Sequence, residues 1–341
     1  SDKVNHLVIA KTFSNLNSIE KNGGDITIFQ NVKCESINAN SIIIRKDTAP
    51  TVEFGSITAT SLQNGGDLTV NSELQVSSIV NQNKLTIADT VTLIQQISSL
   101  TNDAELILNV DTSVEEITNN QNGRITVAEG KYLVVSKNMK DIGTFDGKVK
   151  FYGSEQQLIT LKENANYPHI VVDKDGGKIT FTNAMTVGLF ETEKSPETVF
   201  ESNVSVGTFT DKADSGTYIF NKNASFATET IFNTTETVSF GSDENSTTSF
   251  GTTDNPVNFT HTAGNTTIAG NVVANEITLA ENTIDGTVTG TEITLGKTTL
   301  NGNITGTDVE IGELSLNGTI AADNITLAEI TVVENSELKI N

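Results

Sequence analysis

The stretch Ile284-Asp285-Gly286-Thr287-Val288-Thr289-Gly290-Thr291-Glu292-Ile293-Thr294-Leu295-Gly296-Lys297-Thr298-Thr299-Leu300 runs through one cycle of a sixteen-residue repeat. Stepping by sixteen in either direction keeps each residue type in place. Ile268, Ile284, Leu300, Leu316 and Val332 form one apolar series. Val272, Val288, Ile304 and Ile320 form a second, Ile277, Ile293, Val309 and Ile325 a third, and Leu279, Leu295, Ile311 and Leu327 a fourth. Small residues keep the same step at Gly270, Gly286, Gly302 and Gly318, and at Ala274, Gly290, Gly306 and Ala322.

The spacing inside a cycle identifies the element. Ile277-Thr278-Leu279 and Ile325-Thr326-Leu327 alternate apolar, polar, apolar. In a strand the outer two residues share one face and the β-branched Thr takes the other. A helix would need apolar residues at three- and four-residue steps over ten or more positions, and recurrent Gly, Asn and Thr would weaken it. One cycle is therefore a set of short strands joined at corners, and consecutive cycles stack. This predicts an all-β chain folded as a parallel β-solenoid, or β-helix, in the form of an elongated rod. Coil lengths of this size favour a right-handed winding.

Working outward, residues 1–130 carry the same pattern with coils of about 17–21 residues. Asn22-Gly23-Gly24-Asp25-Ile26-Thr27-Ile28 reappears as Asn64-Gly65-Gly66-Asp67-Leu68-Thr69-Val70. That separation reads as two coils. Leu85-Thr86-Ile87, Leu106-Ile107-Leu108 and Ile125-Thr126-Val127 continue the series. Residues 131–178 are the least periodic and read as an insertion, a widened coil or a junction. Residues 179–262 are Phe-rich, and their spacing predicts Phe stacked on two interior walls. Residues 263–341 hold the sixteen-residue repeat. It runs on through Ile330, Val332, Leu338 and Ile340, which predicts an uncapped C-terminal end. Coils of these lengths give roughly 16–20 turns and, at about 4.8 Å per turn, a rod on the order of 80–95 Å.

Composition removes several functions. Asp and Glu number 43 against 21 Lys and Arg, a formal charge of -22. Nucleic acid and anionic lipid both require clustered Lys and Arg, so neither is an expected partner. No apolar run approaches the ~20 residues of a membrane-spanning helix. A single cysteine, Cys34, allows no internal disulfide and no thiolate cluster, and its place in Lys33-Cys34-Glu35 reads as a strand residue. Near-absence of Cys suits an exported chain.

Catalytic arrangements are missing from the pattern. Polysaccharide hydrolases pair two carboxylates, but the Asp-Asp dipeptide and Gly-His-Gly motif of pectin-degrading β-helices do not occur. Arg45 and Arg124 sit outside any acidic cluster, and no Gly-x-Ser-x-Gly elbow appears. The expectation is a protein that is not an enzyme and needs no cofactor. One segment suggests a cation. Asp173-Lys174-Asp175-Gly176-Gly177 resembles the start of a calcium loop, so Asp173 and Asp175 are the candidate metal ligands and calcium the candidate ion. His169, near this segment, reads as a turn residue.

Thr305-Gly306-Thr307, Leu316-Asn317-Gly318-Thr319-Ile320 and Asn265-Thr266-Thr267-Ile268-Ala269-Gly270-Asn271-Val272 resemble the passenger regions of bacterial autotransporters. The resemblance covers most of the chain. It implies a parallel β-helix presented outside the cell, often for adhesion, alongside a C-terminal β-barrel translocator. The acidic, Cys-poor, Thr/Asn/Gly-rich composition also looks like that of surface-layer or extracellular filament subunits, which assemble into lattices or fibres, often with calcium. The expected function is non-catalytic adhesion or surface display from an extracellular, cell-surface rod. The alternative is a self-assembling surface-layer or filament subunit, and the third reading is a polysaccharide-active β-helix. Expected partners are other copies of the chain, end to end or laterally, and a host receptor or glycan. Direct membrane insertion is not expected.

Overall fold

A computed structural model describes residues 6–252, 254–332 and 337–340, without the side chains of Asn22, Val332 and residues 337–340. The expected interior roles of Val332, Leu338 and Ile340 lie outside the described side chains. The chain divides into two units, Ser1–Tyr152 and Gly153–Asn341. Each is a parallel β-solenoid, and no helix occurs among the described residues.

In the first unit a coil has three short walls. Val32–Ile44 turns through all three, burying Val32 and Cys34, then Ile37 and Ala39, then Ile42 and Ile44. The alternation of inward apolar and outward polar residues produces this, because side chains in a strand point to opposite faces. Successive coils align the same wall in register. Val32, Val52, Leu68, Leu85, Leu106, Ile125 and Phe145 stack as one interior column. Ile26, Ile42, Leu62, Ile79, Leu100, Ile117 and Met139 form another.

These columns correct one reading. Ile26 and Leu68 belong to different walls, so the two look-alike Asn-Gly-Gly-Asp segments are not whole coils apart. Both precede an apolar–Thr–apolar strand, and that local need recurs on every wall. Residues 131–178 also continue the strand ladders. Leu133–Val135 pairs with Thr112–Val114 and with Val149–Phe151, and Ala165–Lys174 pairs with Met185–Lys194. The division between the units falls inside this segment, after Tyr152. A further irregular coil lies between Phe240 and Ile268, where an antiparallel hairpin pairs Gly251 with Pro256 and Thr252 with Asn255.

In the second unit the Phe column and the aliphatic column are one structure. Phe181, Phe200, Phe220 and Phe240 stack in register and are continued by Ile268, Ile284, Leu300 and Leu316. Ring centroids on this wall are 4.9–5.3 Å apart and nearly parallel. The other Phe residues occupy both remaining walls. Phe226 stacks on Phe250 at 4.9 Å, Phe190 on Phe209 at 5.8 Å, and Phe232 meets Phe209 at 4.7 Å and Phe259 at 6.0 Å. Three walls therefore carry Phe rather than two. Each such pair adds about 0.5–1.5 kcal/mol beyond its burial.

The glycine series marks the tightest corner. A Cβ built on Gly286 would lie 1.8 Å from the carbonyl oxygen of Gly270, and one on Gly302 1.9 Å from that of Gly286. The coils stack there backbone on backbone, and only glycine leaves room.

Candidate functional site

The predicted cation ligands lie where the strand Ala165–Lys174 ends and turns. The register slips between Val172 and Asp173. The extra residue at that slip is on the partner strand, and ordinary alternation after the buried Val172 turns Lys174 inward, with only 1% of its surface exposed, while Asp175 faces solvent. Asp175 Oδ1 accepts a hydrogen bond of 2.8 Å from Lys194 Nζ, which holds its carboxyl below the ordinary range. A lysine of the next coil thus already neutralises one of the two candidate ligands. Among the described residues no group of three or more His, Cys, Asp and Glu converges as a metal site would require.

Lys174 Nζ donates to the carbonyl oxygens of Glu155 at 2.7 Å and Gly153 at 3.4 Å. Burial disfavours its charged form and pushes its pKa down to about 8. His169 Nε2 lies 3.1 Å from Glu191 Oε2, and Lys212 pairs with the other oxygen of that carboxylate. Cys34 is buried, and its thiol donates to the Ser36 carbonyl. Burial raises its pKa, so it is an unreactive wall residue. Arg45 pairs with Asp47 and lies over the Phe29 ring.

Two buried polar systems were not anticipated from the sequence. In the first unit Asn64, Asn81, Asn102, Asn119 and Asp141 form an interior ladder. Each amide Nδ2 donates to the Oδ1 of the next coil at 2.7–2.8 Å, and the series ends on the carboxylate of Asp141. Each also reaches a backbone carbonyl at the corner. A signal existed. Asn64, Asn81 and Asn102 each stand four residues before an interior residue of the repeat strand: Leu68, Leu85 and Leu106. In the second unit Asp211 Oδ1 accepts from Thr192 Oγ1 at 2.8 Å and Tyr218 Oη at 2.7 Å, while Oδ2 accepts from the backbone N–H of Asn233 and Thr234. Burial, and then the carboxylate charge, raise the Tyr218 pKa. His261 Nε2 faces the Thr234 carbonyl at 3.0 Å and Nδ1 faces Thr266 Oγ1 at 2.8 Å. Burial lowers its pKa, which keeps the ring neutral. These groups are sealed inside the coils and reach no ligand.

The surface feature that can receive a ligand is a shallow groove on the second unit. Two hollows of about 360 and 570 Å³ share Thr247 and Ser249 and so run into one another. Along it Thr186, Ser205, Ser225, Ser249, Val273, Thr289 and Thr305 follow one another in strand register, one per coil. Six of these seven positions carry a hydroxyl. Ser225 Oγ donates to Ser205 Oγ at 2.9 Å. Gly251, Thr252 and Pro256 of the hairpin line the wider hollow. Among the described residues none that lines the groove is charged. The acidic side chains gather in other columns: Glu276, Glu292 and Asp308 in one, Glu313 and Glu329 in another.

These features define a parallel β-solenoid protein with polar interior columns and a neutral outer groove. No protein-family model matches the chain, and neither a curated protein nor a solved structure is significantly similar to it.

Proposed function

We propose that this chain is a non-catalytic protein of the cell surface that adheres through the groove of its second unit to an uncharged, hydroxyl-bearing polymer. A neutral glycan chain is the class that fits. The supporting observation is the uncharged column of hydroxyls, one per coil except at Val273, on a chain of formal charge -22. A row of donors and acceptors at steps of about 4.8 Å suits a ligand that itself repeats. An ionic ligand gains nothing from a wall without charge, and an anionic one is repelled by the rest of the surface. Glycan contact of this kind is the sum of many weak polar contacts, which is what a long, shallow groove offers.

The test is retention of the purified protein on neutral and acidic polysaccharides, for the natural chain and for the double variant Ser205→Asp/Ser249→Asp. Both side chains point outward, so the fold tolerates the change. Expected is retention on a neutral polysaccharide that is insensitive to salt and weakened at least about tenfold in the variant, or about 1.4 kcal/mol. Release of sugar on incubation would make the protein an enzyme. Sheets or fibres formed with millimolar calcium, without polysaccharide retention, would make assembly the function. Either result would sink the proposal.

A further inference from the structure

Asn282 and Thr298 face each other in register on adjacent coils of the second unit. Both point inward, with 4% and 2% of their surfaces exposed. Among the described residues Asn282 Nδ2 and Oδ1 and Thr298 Oγ1 have no hydrogen-bond partner. Burying a polar atom unpaired is costly, and folded chains avoid it. The neighbouring coils do not supply a partner. Thr266, one coil before Asn282, uses its hydroxyl on His261 Nδ1 at 2.8 Å. Leu314, one coil after Thr298, is apolar and buried.

The spacing points to the missing partner. Adjacent coils lie about 4.8 Å apart, a gap that the in-register Asn ladder and the Ser205–Ser225 pair close directly but that Asn282 and Thr298 leave open. A single oxygen placed about 2.8 Å from each spans that gap at a near-tetrahedral angle. Asn282 offers a donor and an acceptor, and the Thr298 hydroxyl offers both. A cation would want oxygen acceptors alone, whereas the amide N–H here needs an acceptor. We propose that Asn282 and Thr298 form an internal hydration site holding at least one ordered water between these two coils. In register the two follow Thr266, whose hydroxyl meets His261 Nδ1, so the site lies one coil beyond that buried pair. A buried water with about three hydrogen bonds is an ordinary way to satisfy such a cluster.

The test counts long-lived internal waters by oxygen-17 relaxation dispersion in the natural protein and in Asn282→Leu/Thr298→Val, with a crystal structure of the natural protein beside it. Expected are at least one fewer long-lived water in the variant and density within hydrogen-bond reach of both side chains. Equal counts would overturn the proposal. So would a crystal structure in which the two side chains pair with the protein instead. If the double variant does not fold, the crystal structure of the natural protein decides alone.

Discussion

Replacing Asn102 by Asp tests whether the interior amide ladder has a direction. Asn102 Oδ1 accepts from Asn81 Nδ2 at 2.7 Å, and Asn102 Nδ2 donates to Asn119 Oδ1 at 2.8 Å, to the Ala104 carbonyl at 2.8 Å and to the Arg124 carbonyl at 3.2 Å. Asp keeps the shape and the first bond. Ionised, it loses every donation and sets a carboxylate oxygen against Asn119 Oδ1 in a fully buried place. Each orphaned buried acceptor costs about 1–3 kcal/mol, so the expected loss near pH 7 is about 3–5 kcal/mol. Protonated, the same residue donates once to Asn119 and restores the ladder. Its folded pKa is therefore raised above the ordinary ~3.9 of Asp. The folded state then holds the proton to higher pH than the unfolded state, so the variant loses stability as pH rises from that value to the folded pKa. The slope approaches about 1.4 kcal/mol per unit. Asp141→Asn is the comparison. Asp141 accepts from Asn119 Nδ2 and from the Gly143 N–H, and Asn can still accept both through Oδ1. It is expected to cost about 1 kcal/mol or less. Urea titrations followed by circular dichroism between pH 3.5 and 8, against the natural protein, give the numbers, the pH limits being about those set by the Asp titration. A loss at pH 7 under about 0.5 kcal/mol, or a loss that does not change with pH, would refute the directional ladder.

Further outcomes follow from other buried groups. Lys174, with its pKa pushed down to about 8 from 10.5, releases its proton earlier when folded, so the natural protein gains stability as pH rises across that window. Relative to Lys174→Met the gain is about 3 kcal/mol at most, read from urea midpoints between the two pKa values. His261, held neutral by burial, contributes stability that is present above its ordinary 6.5 and lost as pH falls below it. His261→Gln should flatten that acid limb in thermal melts, and an unchanged limb would exclude His261 as its source. Gly302→Ala sets a Cβ 1.9 Å from the Gly286 carbonyl oxygen and should destabilise the second unit by about 3 kcal/mol or more, whereas Gly312→Ala, at 3.2 Å from its neighbour, should cost less. Comparable melting temperatures for the two glycine variants would count against the close corner.

The sequence by itself determined the repeat and therefore the fold. Ile268, Ile284, Leu300 and Leu316 recur at one step because strands that pair in register place equal positions on one wall, so periodicity along the chain becomes stacking in space. The burial of the Phe residues was legible for the same reason. The sequence could not assign strands to walls where coil length varies. Ile26 and Leu68 look alike because each local strand needs the same residues, and only the pairing shows that they belong to different walls. It gave no sign of the hairpin pairing Gly251 with Pro256, which sits among regular Phe positions. Tertiary structure alone decided the fate of the polar residues. Asp173-Lys174-Asp175 reads as a cation loop, yet strand alternation buries the lysine and Asp175 pairs with Lys194 of the next coil. The groove is likewise invisible along the chain. Its column positions lie between sixteen and twenty-four residues apart and become neighbours only when the coils stack. A ligand site is a property of side chains brought together across coils, and winding, not order in the chain, sets which ones meet.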